Sequence, residues 1–292
     1  MPSFRLPSIL AILIVLGTLT TGLARADDRP HSAGPGVHVL PVPLAMPGLD
    51  RTRTIRIYLP PSYATSHKRY RVLYMHDGQN LFDDATSFVG EWGVDETMDA
   101  LAKSDGIELI VVGIDHGDAE RIHELTPWSN PKYGQAQGRQ YMDFVVGTVK
   151  PYIDSHYRTR PARKDTGIMG SSLGALVSHY AIYKYPDVFS KAGVISPSFW
   201  FSDQAYATVV PGALRKDTRI YMSIGDKEGE TENDKDVNKY VQDTLRMETL
   251  ERAADPRHLA LQVHVIPGGK HNEGTWRAEL PRAIRYLFGS RH

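Results

Sequence analysis

Gly170-Ser171-Ser172-Leu173-Gly174 is a G-x-S-x-G pentapeptide. Its setting makes it informative, because Thr166 to Met169 reads as a strand and Leu173 to Tyr185 as a helix. A glycine on each side permits a tight strand–turn–helix that lifts the Ser172 hydroxyl above the edge of a sheet. The first N–H groups of the following helix point at the same spot and favour negative charge there. A serine hydroxyl is a poor nucleophile at neutral pH. It needs a base within hydrogen-bond reach and an acid that orients the base.

In this architecture the chain order is Ser, then Asp or Glu, then His. His258, His264 and His271 follow the acidic candidates, with His292 at the terminus. His264 lies inside an expected strand, and His258 precedes it at the wrong sheet edge. His271 follows the strand through Pro267-Gly268-Gly269 and is the expected general base. The acid is expected after the strand Arg219 to Ile224, where Asp226, Glu228 and Glu230 compete. The acidic run continues to Asp236, which suggests a calcium loop, but the sixth-position glycine of the EF-hand pattern is missing.

The elements that must position these groups alternate in type. Thr52 to Leu59, Arg71 to Met75 and the nearly all-apolar Ile107 to Ile114 read as strands, as does Val37 to Leu44. Val94, Met98 and Leu101 have helical spacing, with Gly106 as a stop. Tyr141 to Tyr157 reads as a helix that Pro151 would kink. Ala192 to Ser196 and Leu259 to Ile266 are further strands. Thr231 and Asp234 form a capping box for a helix through Val237, Val241 and Leu245, and Ala278 to Phe288 is the last helix. This order predicts an α/β fold with a mostly parallel central sheet and helices on both faces. Ligands then bind beyond the carboxyl ends of the strands.

The chain has 292 residues, no net formal charge and no cysteine. Zero net charge gives no electrostatic reason to expect nucleic acid as partner. The lack of cysteine excludes disulfides, thiolate metal sites and a cysteine nucleophile. Arg5, the apolar run Ile9 to Leu16 and Ala24-Arg25-Ala26 together read as a secretory signal peptide over 1–26, cleaved after Ala26. The mature chain would carry a net charge of −2, with no later stretch apolar enough to span a membrane, and would be secreted or periplasmic. Residues 27–36 are expected as a flexible arm and 37–292 as a single domain.

Beyond the pentapeptide, several blocks over roughly 40–290 resemble the esterase family of α/β-hydrolases that includes enterochelin (siderophore) esterases, feruloyl and acetyl-xylan esterases, S-formylglutathione hydrolase and mycolyltransferases. Val72 to Asp83 is similar to its strand-and-turn block, and Trp92-Gly93-Val94-Asp95-Glu96 to its next helix start. Arg121 with Glu124-Leu125-Thr126-Pro127-Trp128 is similar to its R-x-x-E-x-T-P-W segment, and His271-Asn272-Glu273 with Trp276 to its histidine loop. The resemblance implies the α/β-hydrolase fold and a serine esterase working through an acyl-enzyme. It raises Glu228 over Asp226 as the triad acid. It also implies an oxyanion hole from the Leu173 N–H and the Gln79 N–H, with Asn80 the next choice.

His76 and Asp77 are expected as a packed strand end rather than a metal site. Trp92, Trp128, Trp200 and Trp276 are candidates to line a cleft, with Trp128, Trp200 and Asn80 taken as substrate-binding residues. Arg121 and Glu124 are expected to pair and brace the loop before Trp128. No metal or organic cofactor is implied. A siderophore ester and a feruloyl or acetyl carbohydrate ester are equally open as substrates. The alternatives are an acyltransferase to a sugar or lipid hydroxyl, which shares the acyl-enzyme, and a non-catalytic ligand-binding module.

Overall fold

The computed structural model describes residues 29–229, 237–256 and 260–289. The expected signal segment, the Thr231/Asp234 cap, Glu230, His258 and His292 lie outside the described residues. In chain order the elements are β1 (Val37–Val39), β2 (Leu44–Met46), β3 (Arg51–Arg53), β4 (Ile55–Tyr58), β5 (Arg71–His76), α1 (Val94–Asp105), β6 (Leu109–Ile114), α2 (Arg121–Glu124), α3 (Gly138–Phe144), α4 (Lys150–His156), β7 (Thr166–Ser172), α5 (Leu173–Lys184), β8 (Lys191–Pro197), β9 (Arg219–Gly225), α6 (Val237–Ala254), β10 (Ala260–Ile266) and α7 (Glu273–Phe288).

Eight strands form one sheet in the order β1-β4-β6-β5-β7-β8-β9-β10. Pairing is antiparallel at β1–β4 and β4–β6 and parallel from β6 through β10. A parallel sheet is covered on both faces, so its central strands bury successive residues on both sides. Val72 and Tyr74 of β5 join one apolar cluster, while Leu73 and Met75 join the other. The first cluster takes in Phe144, Ile153, Leu176 and Met247 from α3, α4, α5 and α6, and the second Met98 and Leu101 from α1 with Ile284 and Leu287 from α7.

Three local expectations are corrected. The extended stretch Val37 to Leu44 is broken: β1 pairs with β4, whereas β2 forms a separate ribbon with β3. The helix Tyr141 to Tyr157 is interrupted by a π turn over Val145–Val149, directly before Pro151. Proline offers no N–H to the carbonyl four residues back, and the wider turn absorbs that mismatch. Residues 29–36 are docked rather than loose: His31 Nδ1 lies 2.7 Å from Asp83, and the Gly34 N–H donates to Asp95 at 2.7 Å. Gly106 does stop α1, in the left-handed conformation (φ 63°).

Candidate active site

The turn after β7 bends sharply, with Ser172 at φ 58°, ψ −120°. Such a conformation is costly for a residue with a Cβ. The flanking glycines are required sterically, since a Cβ on Gly170 would lie 2.8 Å from the Gly174 carbonyl carbon, and one on Gly174 would lie 3.2 Å from the His76 Cβ. Leu173 opens α5, so its N–H is among those without an intrahelical acceptor.

The acid and histidine loops leave neighbouring parallel strands, β9 and β10. They touch at Gly225 and Gly269, where a Cβ on Gly225 would sit 2.2 Å from the Gly269 oxygen. This close approach lets His271 Nδ1 reach Glu228 Oε2 at 2.7 Å. Glu228 is 1% exposed. Its Oε1 accepts from the Gly225 N–H at 2.9 Å and from the Ser196 hydroxyl. Ser196 in turn accepts from the Trp276 indole N–H at 2.8 Å. The Trp276 ring stands edge-on to His271, with centroids 5.2 Å apart. Asp226 has a different role: its carboxylate accepts from the Gly268 N–H at 2.7 Å and so holds the histidine loop. His264 pairs with Glu279 inside β10.

Ser172, His271 and Trp276 open onto one cleft of about 500 Å³, together with Asn80, Phe88, Trp92 and Arg121. In this structure the Ser172 Oγ lies 3.2 Å from the Ser198 Oγ. A serine–imidazole contact commonly tightens only when substrate binds. The Asn80 N–H donates to the Asp77 carbonyl at 2.9 Å, closing a short 3₁₀ turn that leaves the Gln79 N–H outside its bonds. Gln79 is itself pinned, accepting from Thr86 Oγ1 at 2.8 Å and, through Oε1, from the His116 N–H at 3.0 Å.

Two tryptophans taken as substrate-binding residues are not brought into the cleft. Trp128 is 7% exposed in the core and meets Tyr180 edge-on. Trp200 packs against Tyr133 and Phe201. The cleft tryptophans are Trp92 and Trp276, with ring centroids 5.5 Å apart. The expected Arg121–Glu124 pair is also corrected. Arg121 makes a two-pronged bond to Asp77 at 2.6 and 2.9 Å, whereas buried Glu124 meets Arg51 and Arg53.

Burial pushes the Asp77 carboxyl up, but the charge and hydrogen bonds of Arg121 bring it below its ordinary value. Burial drives the His76 imidazole down to about 4, and its Nδ1 lies 2.7 Å from the Tyr141 hydroxyl. His76 and Asp77 thus form a packed strand end. Sequence reasoning missed Ser196, Ser198 and Phe88. The two serines sit at the carboxyl end of β8, next to the nucleophile strand, which is where strand-end residues merit inspection. The arrangement can accept a proton from a serine, steady the resulting imidazolium and offer backbone donors to an oxyanion.

A model of the family described as "Putative esterase" matches residues 47–287. The chain belongs to that family. It is a carboxylic ester hydrolase with an α/β-hydrolase fold. The protein YbbA of Bacillus subtilis, itself uncharacterized, is 26% identical over 249 residues, covering 81% of this chain and 93% of that one. Among solved structures, an IroE-like serine hydrolase from Shewanella oneidensis superposes with a TM-score of 0.71 at 23% identity, over 86% of this chain and 80% of that one. Siderophore hydrolase EstB from Aspergillus nidulans gives 0.69 at 16% identity, over 88% and 96%. Among the described residues, no helix is long and apolar enough to cross a membrane.

Proposed function

We propose that the protein is an exported serine esterase that cleaves esters bearing an aryl group, through an acyl-enzyme. The observation that carries the reading is the 2.7 Å His271–Glu228 bond in the cleft that also holds Ser172 on its strained turn. The Ser172 Oγ turns from Ser198 toward His271, loses its proton to Nε2 and attacks the ester carbon. The Nδ1–H bonded to Glu228 keeps the ring in the required tautomer and steadies its positive charge. The Leu173 and Gln79 N–H groups stabilise the oxyanion. His271 returns the proton to the leaving alcohol. Water, deprotonated by the same imidazole, then releases the acid and free Ser172.

Trp92, Trp276 and Phe88 make the cleft wall aromatic, which supports an aryl ester. That chemistry is common to catecholate siderophore esters and feruloyl carbohydrate esters, and EstB is named for siderophore hydrolysis. Export rests on the signal segment over 1–26. The test is Ser172→Ala, compared with wild type on a p-nitrophenyl ester, a feruloyl ester and a catechol trilactone. Turnover should vanish with the fold intact, and a fluorophosphonate probe should label wild type alone. Undiminished turnover in the variant would refute the assignment.

A further inference from the structure

Three carboxylates gather where the docked N-terminal segment meets the start of α1. One oxygen from each of Glu91, Asp95 and Glu96 lies within 4.8 Å of the others. Glu91 and Asp95 are buried, at 8% and 2% exposure, and Glu96 is exposed. Glu91 Oε1 accepts from Arg277 at 3.0 Å, and Asp95 Oδ2 from the Gly34 N–H at 2.7 Å. Their other oxygens, Glu91 Oε2 and Asp95 Oδ1, are buried and take no N–H; the Ser32 side chain lies beside the Glu91 carboxyl, and the Asp95 carboxyl faces that of Glu96. Native proteins rarely leave such oxygens unsatisfied, and an unseen ion is one standard reason when they do. Three carboxylates against one guanidinium leave a local charge of −2 when all are ionised.

We propose that Glu91, Asp95 and Glu96 bind a calcium ion that fastens the N-terminal segment to the wall of the cleft. Calcium takes oxygen ligands at about 2.3–2.6 Å, so two oxygens within 4.8 Å of each other can share one ion, and a small shift of the exposed Glu96 side chain brings the third into reach. The donors are carboxylates only, which suits hard cations rather than zinc or copper. Magnesium demands a stricter octahedron than one buried pair and one exposed arm supply. A cavity lined by Ser32, Glu91 and Arg277 adjoins the cluster on the Glu91 side, so waters can complete the coordination from there. The ion would bind beside Trp92, whose ring lines the cleft, and beside Asp95, which holds Gly34. It takes no part in ester cleavage, and the inference stands whether or not the aryl-ester reading does.

The test uses the whole protein, stripped with EDTA and dialysed free of it. Calorimetric titration with calcium should show one site, and calcium should raise Tm by several degrees. Terbium at the same site should luminesce on tryptophan excitation through Trp92. Glu96→Gln changes an exposed side chain and leaves the fold intact, and Asp95→Asn keeps an acceptor for Gly34. Each should weaken calcium binding by about tenfold or more, since affinity follows the number of charged ligands. Absence of heat and of a Tm shift with folded wild-type protein would overturn the proposal. So would binding that persists in the double variant, or a preference for magnesium over calcium.

Discussion

Ser196 sits inside β8 at φ 48°, a conformation that glycine adopts freely and serine does not. Its hydroxyl donates to buried Glu228 and accepts from the buried Trp276 indole. Ser196→Ala keeps the strained backbone and removes both bonds. A hydrogen bond to a charged group contributes about 1.5–3 kcal/mol, and orphaning a buried donor costs about 1–3 kcal/mol. The expected loss of unfolding free energy is therefore about 3–5 kcal/mol. Ser196→Gly removes the same bonds but relieves about 1–2 kcal/mol of left-handed strain. Glycine's extra freedom in the unfolded chain takes back about 0.5–1 kcal/mol. The glycine variant should thus be more stable than the alanine variant by about 0.5–1 kcal/mol, the reverse of the usual order. Urea unfolding followed by circular dichroism reads this directly. Turnover should fall about tenfold in kcat in both, with KM little changed, because Glu228 is less firmly held. An alanine variant at least as stable as the glycine variant, with wild-type kcat, would refute the reasoning.

Trp128→Ala should cost about 3–5 kcal/mol of stability, because it empties a core position, and leave KM unchanged. Phe88→Ala should do the opposite: the ring is 82% exposed on the cleft rim, so KM for aryl esters rises while the urea midpoint stays put. Stability should also fall in acid through His76. Burial, opposed in part by Asp77 and reinforced by Arg121, sets its native pKa at about 4, against 6.5 for the free side chain. Between those values the unfolded chain binds a proton that the native state does not, so stability drops as pH falls from 6.5 to 4. The maximum contribution is about 3 kcal/mol. His76→Gln should flatten the urea midpoint across that window, and an unchanged slope would contradict it.

Features governed by chain order and strand ends were legible in the sequence. Ser172 and His271 each follow a parallel strand, and adjacent parallel strands deliver their ends to the same edge. Spacing does not separate Glu228 from Asp226. What differs is long-range: the Gly268 N–H engages Asp226 across 42 residues, while Glu228 meets His271. Arg121 and Glu124, expected to brace the loop together, meet different partners because α2 is a single turn set between Asp77 and the arginines of β3. Trp128 misled for a similar reason: its burial is set by Tyr180 on α5, which no local pattern reveals.

The backbone itself marks the site. Among the described residues, five other than glycine have left-handed φ, and four of them, Asp77, Asp118, Ser172 and Ser196, cluster where β5 to β8 and their loops end. For the two serines, which lack the local tolerance of aspartate, this costs about 1–3 kcal/mol each, a large share of a typical net stability of about 5–15 kcal/mol. Glycine would remove that cost, yet the side chains are engaged: Asp77 with Arg121, Ser172 with Ser198, and Ser196 with Glu228 and Trp276. The strain persists because the parallel strands on either side over-determine the turns. A sheet this fully buried can hold a serine in a conformation that, alone, it would abandon.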